Sequence, residues 1–208
     1  MNSLLTPTPF ANCSSFAVIA QSETVTFEMC GNFQKQTFRN RFYIYAANGK
    51  LQLNIPVIYS QKNRELYKDI KIFNEEKWQL NHWKSFESAY KTSPFFEYYE
   101  DEIKPLYTTD FKYLIDFNKA SFDIICECLQ LQVETNETKD FEKEVGNKSD
   151  YRALAERKSK GFNLEQYNQV FNDKHGYISN LSILDLLFNE GPNALNYLES
   201  QTLPNATV

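Results

Sequence analysis

Glycine is scarce in this chain: six residues in 208, scattered along its length. They show neither the spacing of a dinucleotide fingerprint nor that of a P-loop, so both common glycine-built phosphate cradles are excluded. Histidine is scarcer still, with His82 and His175 far apart. No carboxylate-rich loop stands beside them at ligand spacing, so no metal is expected. Of the four cysteines, Cys13 and Cys30 stand alone, and Cys126 and Cys128 are not a CxxC pair. That pattern predicts reduced, mostly buried thiols. A basic excess is also lacking: 22 Lys and Arg stand against 27 Asp and Glu, a net charge of −5. A general nucleic-acid binder needs a broad basic surface, so no nucleic-acid partner is expected. No apolar run approaches a membrane span. The start, Met1-Asn2-Ser3-Leu4-Leu5-Thr6-Pro7, lacks the basic region and long apolar run of a signal peptide. These absences predict a cytoplasmic protein without a membrane span, and no motif indicates a cofactor.

Aromatic residues are plentiful, 13 Tyr and 17 Phe. Most are expected in the core, with the phenols free to line a site. A chain of this length buries roughly 70% of its unfolded surface and folds without disulfides or metal. The expectation is a single α/β domain over 1–208. It has a sheet-rich part (1–73) and a helix-rich part (74–200) with a polar excursion at 135–160.

Along the chain, Ser3–Pro7 predicts a first strand. A helix over Phe16–Gln21 follows, capped by Ser14 or Ser15, then an alternating strand over Glu23–Glu28. That order is a βαβ start. Arg39–Ala46 and Leu51–Val57 alternate around Asn48-Gly49, a strong hairpin signal, and Lys68–Ile72 predicts one more strand. Helices are expected from Glu75, capped by Asn74, to Ser93-Pro94; over the aromatic run Phe95–Tyr107; and from Asp110 as cap to Leu129. Leu131–Glu134 predicts an edge strand, and Asp150-Tyr151-Arg152 an ordered anchor within the polar excursion. Gln166–Asn172 predicts a helix. Asn180 or Ser182 starts another over Ile183–Phe188, and a last turn or two of helix is expected over Asn193–Ser200. The fold class is thus α/β: a small mixed sheet packed by helices, with a mostly helical C-terminal half.

One stretch stands out chemically, Asn32-Phe33-Gln34-Lys35-Gln36-Thr37-Phe38-Arg39-Asn40-Arg41. No acid interrupts it. As a strand it places Lys35, Thr37, Arg39, Arg41, Tyr43 and Tyr45 on one face, and Gln34, Gln36, Phe38, Asn40, Phe42 and Ile44 on the other. In an acidic protein this local positive charge points to an anionic small-molecule ligand. Arginine forks match phosphate and carboxylate, and the Gln and Asn amides match sugar hydroxyls or an acyl carbonyl. The expected binding residues are Gln34, Lys35, Gln36, Arg39, Asn40 and Arg41. The competing reading is a solvated strand face whose cations pair with acids elsewhere.

Five segments together resemble the WbqC-like family of bacterial proteins. They are Asn32–Arg41, Leu53-Asn54-Ile55-Pro56-Val57, Trp78–Ser85, Tyr90–Phe96 and Asn180–Pro192. The resemblance implies a single-domain protein of poorly defined biochemistry. It also implies a likeness to proteins encoded among genes for modified-sugar polysaccharides, where transfer onto an amino sugar is the usual expectation. The chain departs from the family pattern near its start, in the loop Thr8–Phe16 and at Glu23 and Glu28.

Two function classes follow. In the first, a group-transfer enzyme moves an acyl or aminoacyl group onto a nucleotide- or phosphate-bearing sugar. His82 is its candidate proton carrier, because imidazole titrates near neutral pH. A hydrogen-bonded helix histidine is the simpler reading of His82. Cys13 lies where a nucleophile would be well placed, but nothing around it lowers its pKa. In the second class, a non-catalytic binding or scaffold protein uses the cationic stretch or its aromatic helix surface. The two diverge on whether His82 and Arg41 share one concave pocket.

Overall fold

The computed structural model describes residues 1–60, 64–141, 143, 145–159 and 161–204. The βαβ start is present as β1 (Asn2–Leu5), α1 (Cys13–Ala20) and β2 (Thr24–Phe27). The two strands pair in parallel, Leu4 opposite Thr26. Helix α1 begins earlier than the serines suggest. Asn12 is its cap, accepting the amide of Ser15 at 2.9 Å, while Ser14 Oγ accepts the Phe162 amide instead.

Antiparallel strands β3 (Arg41–Ala46) and β4 (Gly49–Asn54) form the expected hairpin as a two-stranded sheet of their own. Ala47 and Asn48 lie between them, and Gly49 takes φ 97°. Only glycine adopts that left-handed backbone without strain, so the glycine closes the turn rather than sitting at its centre. Strands β5 (Val57–Ile58) and β6 (Lys71–Ile72) make a further short pair. Four helices follow: α2 (Trp78–Tyr90), α3 (Phe96–Ile103), α4 (Pro105–Thr108) and α5 (Leu114–Leu129). Beyond them lie β7 (Glu134–Glu137), β8 (Ser149–Asp150), α6 (Asn172–His175), α7 (Ile183–Glu190) and α8 (Ala194–Ser200). Strands β7 and β8 join the first pair in a four-stranded sheet of order β7-β2-β1-β8, parallel throughout. One contiguous buried cluster runs from Leu5 to Leu198 and draws on the strands and the helices alike.

Several boundaries differ from the sequence reading, each for a local reason. Asn32–Asn40 is not a strand. Thr37 Oγ1 donates to the Gln34 carbonyl and accepts the Arg39 amide, and Gln36 is left-handed at φ 61°. These contacts wind Phe38–Asn40 into a 3-10 turn, and strand geometry begins only at Arg41. The proposed pair of faces across residues 34–40 is therefore absent. Asn74 does not cap α2, because its amide is bonded to the Phe111 carbonyl and to the Trp78 indole. Nor does Asp110 cap α5: Tyr113, extended and bridged to Lys71, precedes its first turn, held by the Ile72 amide to the Lys112 carbonyl and the Leu114 amide to the Ile70 carbonyl. The edge strand lies at 134–137 rather than 131–134. The Leu131 amide is taken up by the Cys126 carbonyl past left-handed Gln130, closing the end of α5. Tyr67–Asp69 is a 3-10 turn, leaving only Lys71–Ile72 as strand. The polar run Gln61–Leu66 reads as a loop from its sequence; its residues 61–63 lie outside the described residues.

Gln166–Asn172 is not the expected helix; only Asn172–His175 is helical. Gln169 bonds both backbone groups of Ile178, at 2.9 Å each. Its amide and the Tyr167 hydroxyl also converge on Asp185 Oδ2, at 2.8 and 2.7 Å. The Tyr90 hydroxyl donates to Oδ1 at 2.7 Å while accepting the Tyr45 amide at 3.0 Å. Asp185 is fully buried. Burial pushes its pKa up, against the three donors that pull it down. One carboxylate thus joins α7 to α2, to β3 and to the irregular segment before α6.

Removing one hydroxyl from this junction tests it. Tyr90→Phe leaves the Tyr45 amide and Asp185 Oδ1 unpaired and is expected to cost about 2 kcal/mol in urea unfolding. Asp185→Ala strands three buried donors and is expected to cost about 3–5 kcal/mol.

Candidate functional site

In an open parallel sheet the carboxyl ends of the strands face the ligand crevice. Here β1 runs into Thr6, β2 into Glu28, and β8 into Tyr151 and Arg152. Thr6, Glu28 and Arg152 line a cavity of about 430 Å³, with Cys30, Asn32, Gln34, Arg39, Tyr67, Phe141 and Glu156 among its other walls.

Two arginines and their ion pairs organise it. Arg39 Nη1 donates to Glu156 Oε1 at 2.9 Å; the Arg39 side chain is 9% exposed and that of Glu156 37%. Arg152 is held by the Asp150 carboxylate at 2.7 Å and lies 3.4 Å from Glu28. The same contacts hold the Asp150 carboxyl below its usual range, although burial works the other way. Glu28 Oε1 also accepts the Cys30 amide at 2.8 Å and the Thr138 hydroxyl at 2.9 Å. The loops after β2 and β7 are thereby joined.

Arg39 is placed by its backbone as much as by its side chain. Its carbonyl accepts the Tyr67 hydroxyl at 3.1 Å and the Asn118 amide at 2.9 Å. Tyr67 OH also reaches the Pro7 carbonyl at 2.6 Å and contacts the Asn118 amide. Burial pushes the Tyr67 pKa well up, and nearby Arg39 opposes this only in part. The phenol therefore stays a neutral donor. The Arg39 guanidinium lies 5.8 Å from the Tyr67 ring centroid. Nη1 makes the one side-chain bond from Arg39 to the described residues. Its other donors remain for solvent or a ligand.

Of the expected binding residues, Arg39 and Gln34 meet at the cavity and the others do not line it. Lys35 is exposed, 4.9 Å from the Tyr59 ring centroid. Gln36 accepts from Arg157 at 2.6 Å. Asn40 clamps Ile55, donating to its carbonyl and accepting its amide, both at 2.9 Å. Arg41 reaches Gln52 on the neighbouring strand at 3.4 Å.

His82 lies elsewhere, 3% exposed beneath the hairpin. Its Nε2–H donates to the Asn54 carbonyl at 3.0 Å, and Nδ1 accepts from Tyr107 at 3.4 Å. Both nitrogens are occupied in the neutral ring, and burial lowers its pKa to about 4. Phe42, next to Arg41, packs on the His82 ring, so strand alternation turns Arg41 away from it. The two do not share a pocket. Cys13 opens α1, 1% exposed, and burial with the nearby Asp185 charge pushes its pKa far up. Among the described residues no group of three His, Cys, Asp or Glu is arranged to hold a metal. None of their helices is long and apolar enough to cross a membrane.

The sequence singles out neither Glu156 nor Phe141, marks Glu28 only as a departure from the family pattern, and gives Arg152 no binding role. Glu28 follows a strand that the sequence shows, at the end where an open parallel sheet meets its ligand; Arg152 follows β8, whose two polar residues carry no strand signal of their own. Glu156 and Phe141 carry no comparable signal.

The WbqC-like protein family model matches residues 12–161. The chain belongs to this family. The match takes in both arginines of the cavity and both of its lining glutamates, and stops short of the Asn180–Pro192 segment. No curated protein and no solved structure matches the chain. Family membership thus comes without a relative whose activity could be compared.

For this WbqC-like chain, the His82 environment fixes a pH dependence. The folded-state pKa, about 4, lies below the ordinary 6.5. The neutral ring's stabilisation is complete above pH 6.5. It is lost as pH falls toward 4, because the unfolded chain takes up the proton first. Urea unfolding of wild type and His82→Gln across pH 4–7 should show the wild type losing roughly 3 kcal/mol more on acidification. Parallel curves would rule out a buried neutral imidazole.

Proposed function

We propose that this WbqC-like protein binds a phosphate-bearing sugar, free or as a nucleotide sugar, in the cavity at the sheet's carboxyl ends and transfers an acyl group to it. One observation carries the reading. Arg39 is 7% exposed, stands at the cavity wall and keeps donors unused by the protein. A nearly buried guanidinium held by a 3-10 turn loses little freedom on meeting an anion, and its planar fork suits phosphate. Gln34 and Asn32, both exposed on the cavity wall, supply amides for sugar hydroxyls. Arg152, held in place by Asp150 and Glu28, is a second guanidinium on the cavity wall.

Group transfer onto a hydroxyl or amine also needs a group that accepts a proton as the new bond forms. Glu156 takes that role in place of His82. One of its oxygens is on Arg39, and it is the more exposed carboxylate of the cavity. The second oxygen accepts the proton of the attacking hydroxyl or amine as the new bond to the acyl carbon forms; the donor's bond to its leaving group breaks, the leaving group departs with that proton, and Arg39 keeps the carboxylate oriented. Lys35, Gln36, Asn40 and Arg41 act around this centre, shaping the turn and raising the local potential.

Thermal unfolding with a panel of nucleotide sugars, sugar phosphates and acyl donors tests the reading. At least one sugar ligand should raise the melting temperature by several degrees at saturating concentration. Arg39→Gln should abolish that shift, and Lys35→Ala should keep most of it. With the active donor, Glu156→Gln should retain binding and lose at least about tenfold in transfer rate. No shift across the panel points instead to a non-catalytic protein that meets a partner through its surface.

A further inference from the structure

The same cavity carries an aromatic surface that anion binding does not require. Of the seventeen phenylalanines in the chain, Phe141 alone is left exposed, 57% accessible. The others are buried or partly buried in a protein with ample interior for them. Phe141 stands in the loop between β7 and β8 and forms part of the cavity wall. Its ring lies beside Gly31, where a side chain's first carbon would already touch it at 3.7 Å. The Arg152 guanidinium is 5.4 Å from the ring centroid. Contact with Arg152 and Gly31 fixes where the ring lies but leaves more than half of it in water.

We infer that Phe141 is a specificity-determining residue, a stacking platform for the base of a nucleoside diphosphate whose phosphates meet Arg39. This rests on the proposed anion site and narrows its ligand from phosphate-bearing sugars in general to nucleotide-linked ones. A flat apolar face beside guanidinium donors suits a ligand that joins an aromatic ring to an anion. Every base presents a π-face, and stacking on an aromatic side chain strengthens binding with little dependence on which base it is. Exposed amides of Asn32 and Gln34 stand on the same cavity wall, within the class of groups that meet ribose or base edges. A sugar phosphate without a base would leave the ring as wet as it is in the free protein.

The test compares two nucleoside diphosphates with a diphosphate that lacks both base and ribose, and reads the ring's share from the Phe141 variants. UDP, ADP and inorganic pyrophosphate are titrated calorimetrically into the full chain and into Phe141→Leu, Phe141→Trp and Arg39→Gln. Wild type is expected to bind both nucleotides at least about tenfold more tightly than pyrophosphate. Phe141→Leu keeps an apolar side chain but removes the ring, and should erase that advantage while leaving pyrophosphate affinity unchanged. Phe141→Trp should preserve it. Arg39→Gln should weaken all three ligands together. Equal affinity for nucleotides and pyrophosphate overturns the stacking role and leaves the anion site standing. So does an equal effect of Phe141→Leu on all three ligands. Absence of binding by any of them overturns both. Thermal unfolding of the Phe141 variants without ligand should match wild type within about 2 °C; a large loss would mark the ring as structural and overturn the assignment.

Discussion

A carboxylate buried without a cation must be satisfied by neutral donors or it will not stay buried. Asp185 sets that constraint here. Its oxygens take hydroxyl protons from Tyr90 and Tyr167 and an amide proton from Gln169. It sits in the first turn of α7, where the helix dipole also favours negative charge. Each partner is tied in turn to something else: Tyr90 to the β3 backbone, and Gln169 to both backbone groups of Ile178. The segment before α6 gives up helical hydrogen bonding because its side chains are committed to this centre. Phenols suit such a site. Burial and the nearby carboxylate raise the pKa of Tyr90 and Tyr167 well above the usual value, so both remain donors.

A second polar junction works in the same way under the cavity. Tyr67 and Asn118 leave the core to meet the Arg39 carbonyl, and Tyr67 also takes the Pro7 carbonyl. The loop after β1, the 3-10 turn and helix α5 are thereby fixed to one another. A backbone carbonyl gripped by two donors holds its residue more firmly than side-chain packing alone. Arg39 can therefore project a guanidinium into a cavity from a segment that has no regular secondary structure before it. The polar centres of this protein share a design: tyrosine hydroxyls bridge between elements that do not pair as strands or pack as helices.

Legibility followed the range of the interactions. The βαβ start, the hairpin and α7 with its Ser182 cap were readable because each rests on a pattern within a few residues. Strands β7 and β8 were harder. Glu134–Glu137 and Ser149–Asp150 are polar, without a hydrophobic run, and become strands only because β2 and β1 offer parallel edges. The residues from 135 to 160 therefore looked like an excursion, although they close both sides of the sheet and supply Arg152, Glu156 and Phe141 to the cavity. Arg39 was found from charge, but the strand faces drawn around it were not. Thr37, Gln34 and Gln36 offered the backbone a local alternative that alternation does not register. Helix starts at Asn74 and Asp110 failed for a related reason: a residue able to cap is free to bond elsewhere.

An acid-free stretch of sequence is not an acid-free region of space, and Arg39 meets Glu156 from far along the chain. The cavity wall carries two arginines and two glutamates, so its net charge is near zero and bulk attraction cannot be what would draw a ligand in. What remains is geometry. An ion pair made through one guanidinium nitrogen holds the plane of the group without exhausting its donors. An isolated arginine at this depth would lose hydration with nothing in return; a fully bidentate pair would leave fewer donors to offer. The half-used pair between Arg39 and Glu156 lies between those limits. It keeps a buried cation stable and leaves it able to bind.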